Sequence, residues 1–170
     1  MKQLIVIIGP NGVGKSTTAR EIVEQCQHTA YVDSDWCRVM NPFTFSPTAK
    51  ETITENIFCL LQNYLLCDDV QRVIFTHAWH GERKAIYENV IDKLHRTCSF
   101  KETVVILKCA EAENRKRALK DGRDEKRVER GMEQTFTYYD LFGYPQMDTT
   151  DMTPAQAAQR VMKLFHNDQE

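Results

Sequence analysis

Leu4-Ile5-Val6-Ile7-Ile8-Gly9-Pro10-Asn11-Gly12-Val13-Gly14-Lys15-Ser16 is the stretch from which the rest of the chain is read. Five apolar residues in unbroken succession have the length and character of a strand buried on both faces. Residues 9–16 then fill every required position of the phosphate-binding loop pattern G-x-x-x-x-G-K-[S/T]. The following segment, Lys15 to Gln27, reads as a helix. A glycine-rich turn with a chance lysine does not account for strand, loop and helix falling in this order. The loop glycines let the backbone curl so that successive N–H groups face phosphate oxygens. The helix start adds unpaired donors and partial positive charge. Lys15 supplies a point charge for the β- and γ-phosphates, and the Ser16 hydroxyl is placed to ligate Mg²⁺. Gly9, Asn11, Gly12, Val13, Gly14, Lys15, Ser16 and Thr17 are therefore the expected nucleotide-binding set, with Lys15 also catalytic.

The 170 residues suit one domain, residues 1–170, with one sizeable core. A net charge of −2 lacks the basic excess of a nucleic-acid surface, so no nucleic-acid partner is expected. No apolar stretch approaches membrane-spanning length, and the first one is too short for a signal-peptide core. A cytoplasmic protein with no membrane partner is the expectation. Cys26, Cys37, Cys59, Cys67, Cys98 and Cys109 form no C-x-x-C pair, and several fall within apolar patterns. They read as free, mostly buried thiols.

Strand and helix signals alternate, which favours an α/β layer fold with a mainly parallel sheet. A second strand falls near Thr29–Val32. Asp33-Ser34-Asp35, Asn41-Pro42 and Ser46-Pro47 follow in a turn-rich loop. The next helix starts either from a Thr48/Glu51 capping box or from Ser46 with Pro47, and runs to about Cys67. Strands are expected at Arg72–Thr76, Thr103–Lys108 and Met147–Asp148. Helices are expected around Ile86–Leu94, from Glu111, over roughly Glu125 to Leu141, and after the Thr153-Pro154 start. Val161, Met162, Leu164 and Phe165 make the apolar face of the last one.

In such sheets ligands bind beyond the carboxyl ends of the strands. That puts the phosphate loop, Asp33-Ser34-Asp35 and Thr76–His80 on one rim. Phosphoryl transfer needs carboxylates to hold Mg²⁺ and to direct the attacking hydroxyl. Asp33 is assigned to Mg²⁺ beside Ser16, and Asp35 to acceptor binding or base duty. Residues Arg115 to Arg130 hold many cations with acids interleaved. Ion pairs such as Glu113 with Arg117 explain part of this. The arginine content and Gly122 point to a mobile lid over about residues 115–130, with Arg117, Arg123 and Arg127 foremost. Trp36 and Trp79 either wall an acceptor pocket or pack in the core, and Arg38 either binds an anionic acceptor group or lies at the surface. His77-x-x-His80 lacks a third ligand and is not read as a metal site.

With these residues in view, the chain resembles the small P-loop kinases of the nucleoside-phosphate, shikimate and gluconate kinase group. The likeness extends to antibiotic-modifying phosphotransferases and zeta-toxin-like kinases. It covers nearly the whole chain in element order and is specific at the phosphate loop. Asp33-Ser34-Asp35 is similar to the Asp-x-Asp of shikimate kinases, in which the first aspartate serves the metal and the second binds acceptor hydroxyls. Arg117 matches the arginine that such kinases place near adenine. Arg123–Arg130 resembles their lid, and Met147-Asp148-Thr149-Thr150 their adenine-contacting loop. The resemblance implies a three-layer α-β-α P-loop NTPase fold with a five-stranded parallel sheet and a helical lid. Thr76-His77-Ala78-Trp79-His80-Gly81-Glu82-Arg83 departs from the group: it has neither Asp-Gly-x-Pro-Arg nor a glycine triplet, and its strand lacks a terminal aspartate. Asp33 must then take the metal role usually given to that aspartate.

The expected function is an ATP-dependent, Mg²⁺-assisted phosphotransferase acting on a small hydroxyl- or phosphate-bearing acceptor. Lys15, Asp35, Arg123 and Arg127 are its expected catalytic residues and Arg117 a nucleotide contact, in a monomer or homodimer. The alternative is a nucleotide-dependent switch acting through a protein partner. The absence of Asn-Lys-x-Asp disfavours a guanine-specific switch.

Overall fold

A computed structural model describes residues 1–166, with side chains through Leu164. Its centre is β1 (Lys2–Ile8), which pairs in parallel with β3 (Arg72–Thr76) on one side and β4 (Phe100–Lys108) on the other. β2 (Thr29–Asp33) and β5 (Gln146–Asp148) complete a five-stranded parallel sheet of order β2-β3-β1-β4-β5. The unbroken apolar run of β1 follows from this central place. Leu4, Val6 and Ile8 point into one core, and Ile5 and Ile7 into the other.

The first core lies under α2 (Pro47–Leu66) and α3 (Arg83–His95). Ile53, Ile57, Leu61 and Leu65 of α2 face Ile86, Val90 and Leu94 of α3 at helical spacing. The second lies under α1 (Lys15–Gln25) and α6 (Pro154–His166), where Ala19 and Ile22 meet Ala158 and Val161. The three-layer α-β-α fold is the expected one. A hairpin of α4 (Glu111–Lys120) and α5 (Glu125–Thr135) stands at one end with its own small cluster of Ala118, Val128 and Met132. No described helix is long and apolar enough to cross a membrane. All six cysteines are free thiols, two of them buried.

Three boundaries differ from the sequence reading. α1 stops at Gln25, because Cys26 is extended and His28 is left-handed. β4 starts at Phe100, three residues early. Its half-buried Lys101, Glu102 and Thr103 pair with β1 although polar residues hide the pattern. α5 ends at Thr135 rather than near Leu141, and a separate 3₁₀ turn covers Tyr138–Leu141. Of the two starts considered for α2, the chain uses Ser46, whose hydroxyl accepts from the Ala49 N–H at 3.1 Å with Pro47 in the first turn. On α6, Val161 and Met162 are buried while Leu164 is exposed; the Phe165 side chain lies outside the described residues.

Candidate active site

The phosphate loop occupies the carboxyl end of β1 and leads into α1. A Cβ on Gly9 would stand 2.4 Å from the Leu107 carbonyl oxygen, and one on Gly12 would stand 2.9 Å from the Ala118 Cβ. Both residues also have positive φ, so the loop admits glycine alone at each. The loop is thus wedged between β4 and the α4–α5 hairpin. Thr135 of α5 holds the loop on the hairpin side: its Oγ1 accepts from the Asn11 N–H at 3.2 Å and donates to the Gly131 carbonyl at 2.7 Å.

Lys15 curls back over the loop and donates to the carbonyls of Gly9 and Pro10, both at 2.9 Å. Burial pulls its pKa down to about 8, with Arg123 adding to the fall and Asp35 and Asp33 opposing it. Next to it the Ser16 hydroxyl donates to Asp33 Oδ2 at 2.8 Å. Asp33 also accepts from the Tyr31 hydroxyl at 2.7 Å and from the Asp35 N–H at 3.0 Å. This places a carboxylate from β2 where β3 offers Thr76, whose hydroxyl bonds to Tyr31 at 3.0 Å. Two hard oxygen donors side by side suit Mg²⁺, which takes one or two protein oxygens and completes its shell with waters and phosphates. Among the described residues no cluster of three or more His, Cys, Asp or Glu is built to hold a metal alone.

Two cavities meet at the loop. One, of about 360 Å³, lies between α4 and the start of α6 and is lined by Val13, Arg117, Thr149, Thr153 and Pro154. Arg117 is held there by five bonds: to Glu113 at 2.9 Å, to Val13 O and Thr149 Oγ1 at 3.1 Å, and to the carbonyls of Thr149 and Thr150 at 2.7 and 3.2 Å. The other, of about 250 Å³, is lined by Lys15, Ser16, Asp33, Asp35, Arg38, Arg83, Arg123 and Arg127, together with His77 and His80. Gly12, Gly14, Thr17 and Asp121 line both.

Asn11, Gly12, Gly14, Lys15, Ser16, Thr17, Asp33, Asp35, Arg123 and Arg127 thus come together around one cavity. Val13 and Arg117 face the second one. Arg115, Lys116 and Arg117 engage in ion pairs with Glu129 or Glu113, and Arg130 lines neither cavity. Asp35 is exposed and paired to Arg38 at 2.6 Å. Of the two alternatives for Trp79, pocket wall or core, the structure takes the core. Trp79 is 1% exposed, packed on Tyr87 and Phe142, and its backbone N–H donates to the Tyr139 hydroxyl at 3.0 Å. Trp36 lines neither cavity. It packs edge-on to Tyr31 and is 51% exposed. Thr76 lies on the rim expected from sequence, whereas Arg83 and Tyr31 carry no site assignment there. For Arg83 a signal existed: it opens a helix directly after the β3 rim.

Residues 5–137 match the family described as an AAA domain. No curated protein matches the sequence significantly. Among solved structures, a gluconokinase from Sinorhizobium meliloti 1021 superposes with a TM-score of 0.63 at 14% identity, over 97% of this chain and 94% of the other. The tunicamycin resistance protein of Deinococcus radiodurans gives 0.66 at 16% identity, over 97% and 96%. A shikimate kinase from Acinetobacter baumannii, solved with shikimate, gives 0.62 at 16% identity, over 99% and 96%. These likenesses are ones of fold.

Proposed function

The chain belongs to the AAA domain family, and on that footing we propose that it is an ATP-dependent phosphotransferase for a small hydroxyl- or phosphate-bearing acceptor. The observation that carries the reading is that two cavities share one phosphate loop. A hydrolytic switch needs room for a nucleotide and a water. A second polar cavity, equipped with Asp35 and lying beyond Lys15, suits a second substrate.

The apolar-lined cavity takes the base and ribose, with Arg117 fixing the wall between the loop and residues 149–150. The backbone N–H groups of residues 12–16 and the Lys15 ammonium grip the phosphates. Lys15 gives up its two loop carbonyls for phosphate oxygens. Arg123 and Arg127 neutralise charge that builds on the transferring group. Ser16 and Asp33 would hold Mg²⁺, which spreads the negative charge of the terminal phosphates when bound. Asp35 leaves Arg38 to orient the acceptor hydroxyl and take its proton. The cytoplasm, with its ATP and reducing conditions, suits a protein with six free thiols.

Acceptor-stimulated ADP release with Mg-ATP and a metabolite panel tests the reading. Stimulation by small molecules supports it, and stimulation by a protein alone replaces it with the switch. Lys15→Ala is expected to lower kcat on the order of 10²-fold or more while the variant keeps its fold by circular dichroism. Full activity in a folded Lys15→Ala protein would overturn the assignment.

A further inference from the structure

Deepening the phosphotransferase reading and resting on it, we propose that Asn114 of α4 is a positioning residue for the phosphate loop. Its side-chain amide donates to the Gly12 carbonyl when nucleotide is bound, and so holds the Val13 N–H toward the phosphates.

The argument starts from a cost. α4 is a mostly charged helix that buries two residues, Asn114 and Ala118, one turn apart. Asn114 is 0% exposed, and neither its Oδ1 nor its Nδ2 has a hydrogen-bond partner among the described residues. The neighbouring Cys109 thiol is no substitute. Burial pushes its pKa up, with Arg117 and Asn114 opposing, and a thiol donates and accepts only weakly. Leaving two polar atoms buried and unpaired is unfavourable, and a leucine, with the same branching, would avoid the penalty. An amide kept in that state calls for a partner that arrives later.

That partner is adjacent. Asn114 and Ala118 press on Gly12, where a Cβ would stand 3.3 Å from Asn114 Oδ1. Elsewhere in the loop, the carbonyls of Gly9 and Pro10 accept from Lys15, and that of Val13 accepts from Arg117. The Gly12 carbonyl accepts no bond among the described residues. An unpaired amide and an unclaimed carbonyl thus belong to residues in contact. A half-turn about the last side-chain bond exchanges the amide oxygen for its NH₂, the donor that a carbonyl needs.

Nucleotide supplies the reason for the two to meet. The Val13 N–H now reaches the Pro10 carbonyl across 3.4 Å, beyond the usual range. A phosphate oxygen is a stronger acceptor and draws that N–H into the cavity. The peptide between Gly12 and Val13 is planar and trans, so its N–H and its carbonyl point opposite ways. Turning the N–H to phosphate turns the Gly12 carbonyl outward, to α4 and Asn114. Gly12 admits the rotation because it has no Cβ.

The test is Asn114→Leu, read by urea denaturation and calorimetry together. Without nucleotide the variant should unfold at an equal or higher urea concentration, since two unpaired polar atoms are gone. Its Kd for Mg-ATP should nevertheless rise about 10-fold, the worth of one hydrogen bond, and its Kd for adenosine less than about twofold. A side chain that only packs would lower the midpoint and weaken both ligands alike. A second measurement covers a variant that folds poorly. In wild-type protein labelled with ¹⁵N-asparagine, the Asn114 side-chain amide protons should move downfield with Mg-ATP and stay in place with adenosine. Unchanged Mg-ATP affinity in a folded Asn114→Leu protein, equal losses for the two ligands, or amide protons indifferent to Mg-ATP overturns the inference and leaves the phosphotransferase standing. Wild-type protein that takes up no Mg-ATP refutes both.

Discussion

Lys15 is half-buried and bonded to its own loop, and desolvation lowers its pKa to about 8 before any phosphate arrives. A polyphosphate stabilises the ammonium and raises that value toward its ordinary one. Between pH 8 and about 10.5, binding should then draw a proton from solution. Calorimetry of Mg-ATP at pH 9 in buffers of different ionisation enthalpy should report uptake approaching one proton, with affinity falling as pH rises above 8. His77 gives a stability effect of its own. Its folded pKa, about 4, lies below the unfolded value of 6.5. Below pH 6.5 the unfolded chain binds the proton and the folded one does not, so stability declines as pH falls from 6.5 to 4. Urea midpoints should drop across that window, and His77→Gln should flatten the fall. Asp35→Asn should lower kcat about 10²-fold or more while leaving ATP binding intact, as read by steady-state kinetics with calorimetry. At this scale the meeting of the loop residues with Asp33 around one cavity was legible, because the loop has a fixed spacing and Asp33 closes the neighbouring strand. Trp79 was not. Its place was fixed by Tyr138 and Tyr139, some 60 positions away, which bond its carbonyl and N–H.

Element by element, the bond from Thr135 to Asn11 joins the end of α5 to the phosphate loop. Thr135 is fully buried, so Thr135→Val leaves the Asn11 N–H without its partner. A loss of about 1–3 kcal/mol in chemical denaturation is expected, together with a raised Kd for Mg-ATP. Ser46→Ala, at a cap far from the loop, should cost about 1 kcal/mol and leave that Kd unchanged. The same bond explains why α5 was read too long. Residues 125–141 keep helical spacing in the sequence, yet Thr135 is pulled to Asn11 and Tyr138 and Tyr139 to Trp79, and the helix gives way to a tighter turn. Caps and periodicity reveal helix starts well. Ends decided by partners distant in the chain are written nowhere locally. β4 failed in the opposite sense: its first residues carry charges at the sheet margin, so no apolar signal marked the start.

Over the whole molecule, the order of strands and helices was legible from alternation and from the phosphate loop. The division of space into two cavities was not, because Arg83, Arg38 and His77 converge only once β2, β3 and the loops after them lie side by side. Ligand that fills these cavities binds the folded chain alone. Mg-ATP at 100 times its Kd should therefore add about 2.7 kcal/mol and raise Tm by about 5–10 °C in a thermal scan, and Lys15→Ala should shrink the shift. The strand order carries one more consequence, for synthesis on the ribosome. β1 emerges first, and both its neighbours, β3 and β4, emerge after residue 71. β2, which emerges soon after β1, borders β3 alone. A nascent chain ending at Leu66 therefore holds two strands that do not pair with each other in the finished sheet. Its most apolar segment has only α1, α2 or a chaperone to shield it until the third strand is translated and enters between them.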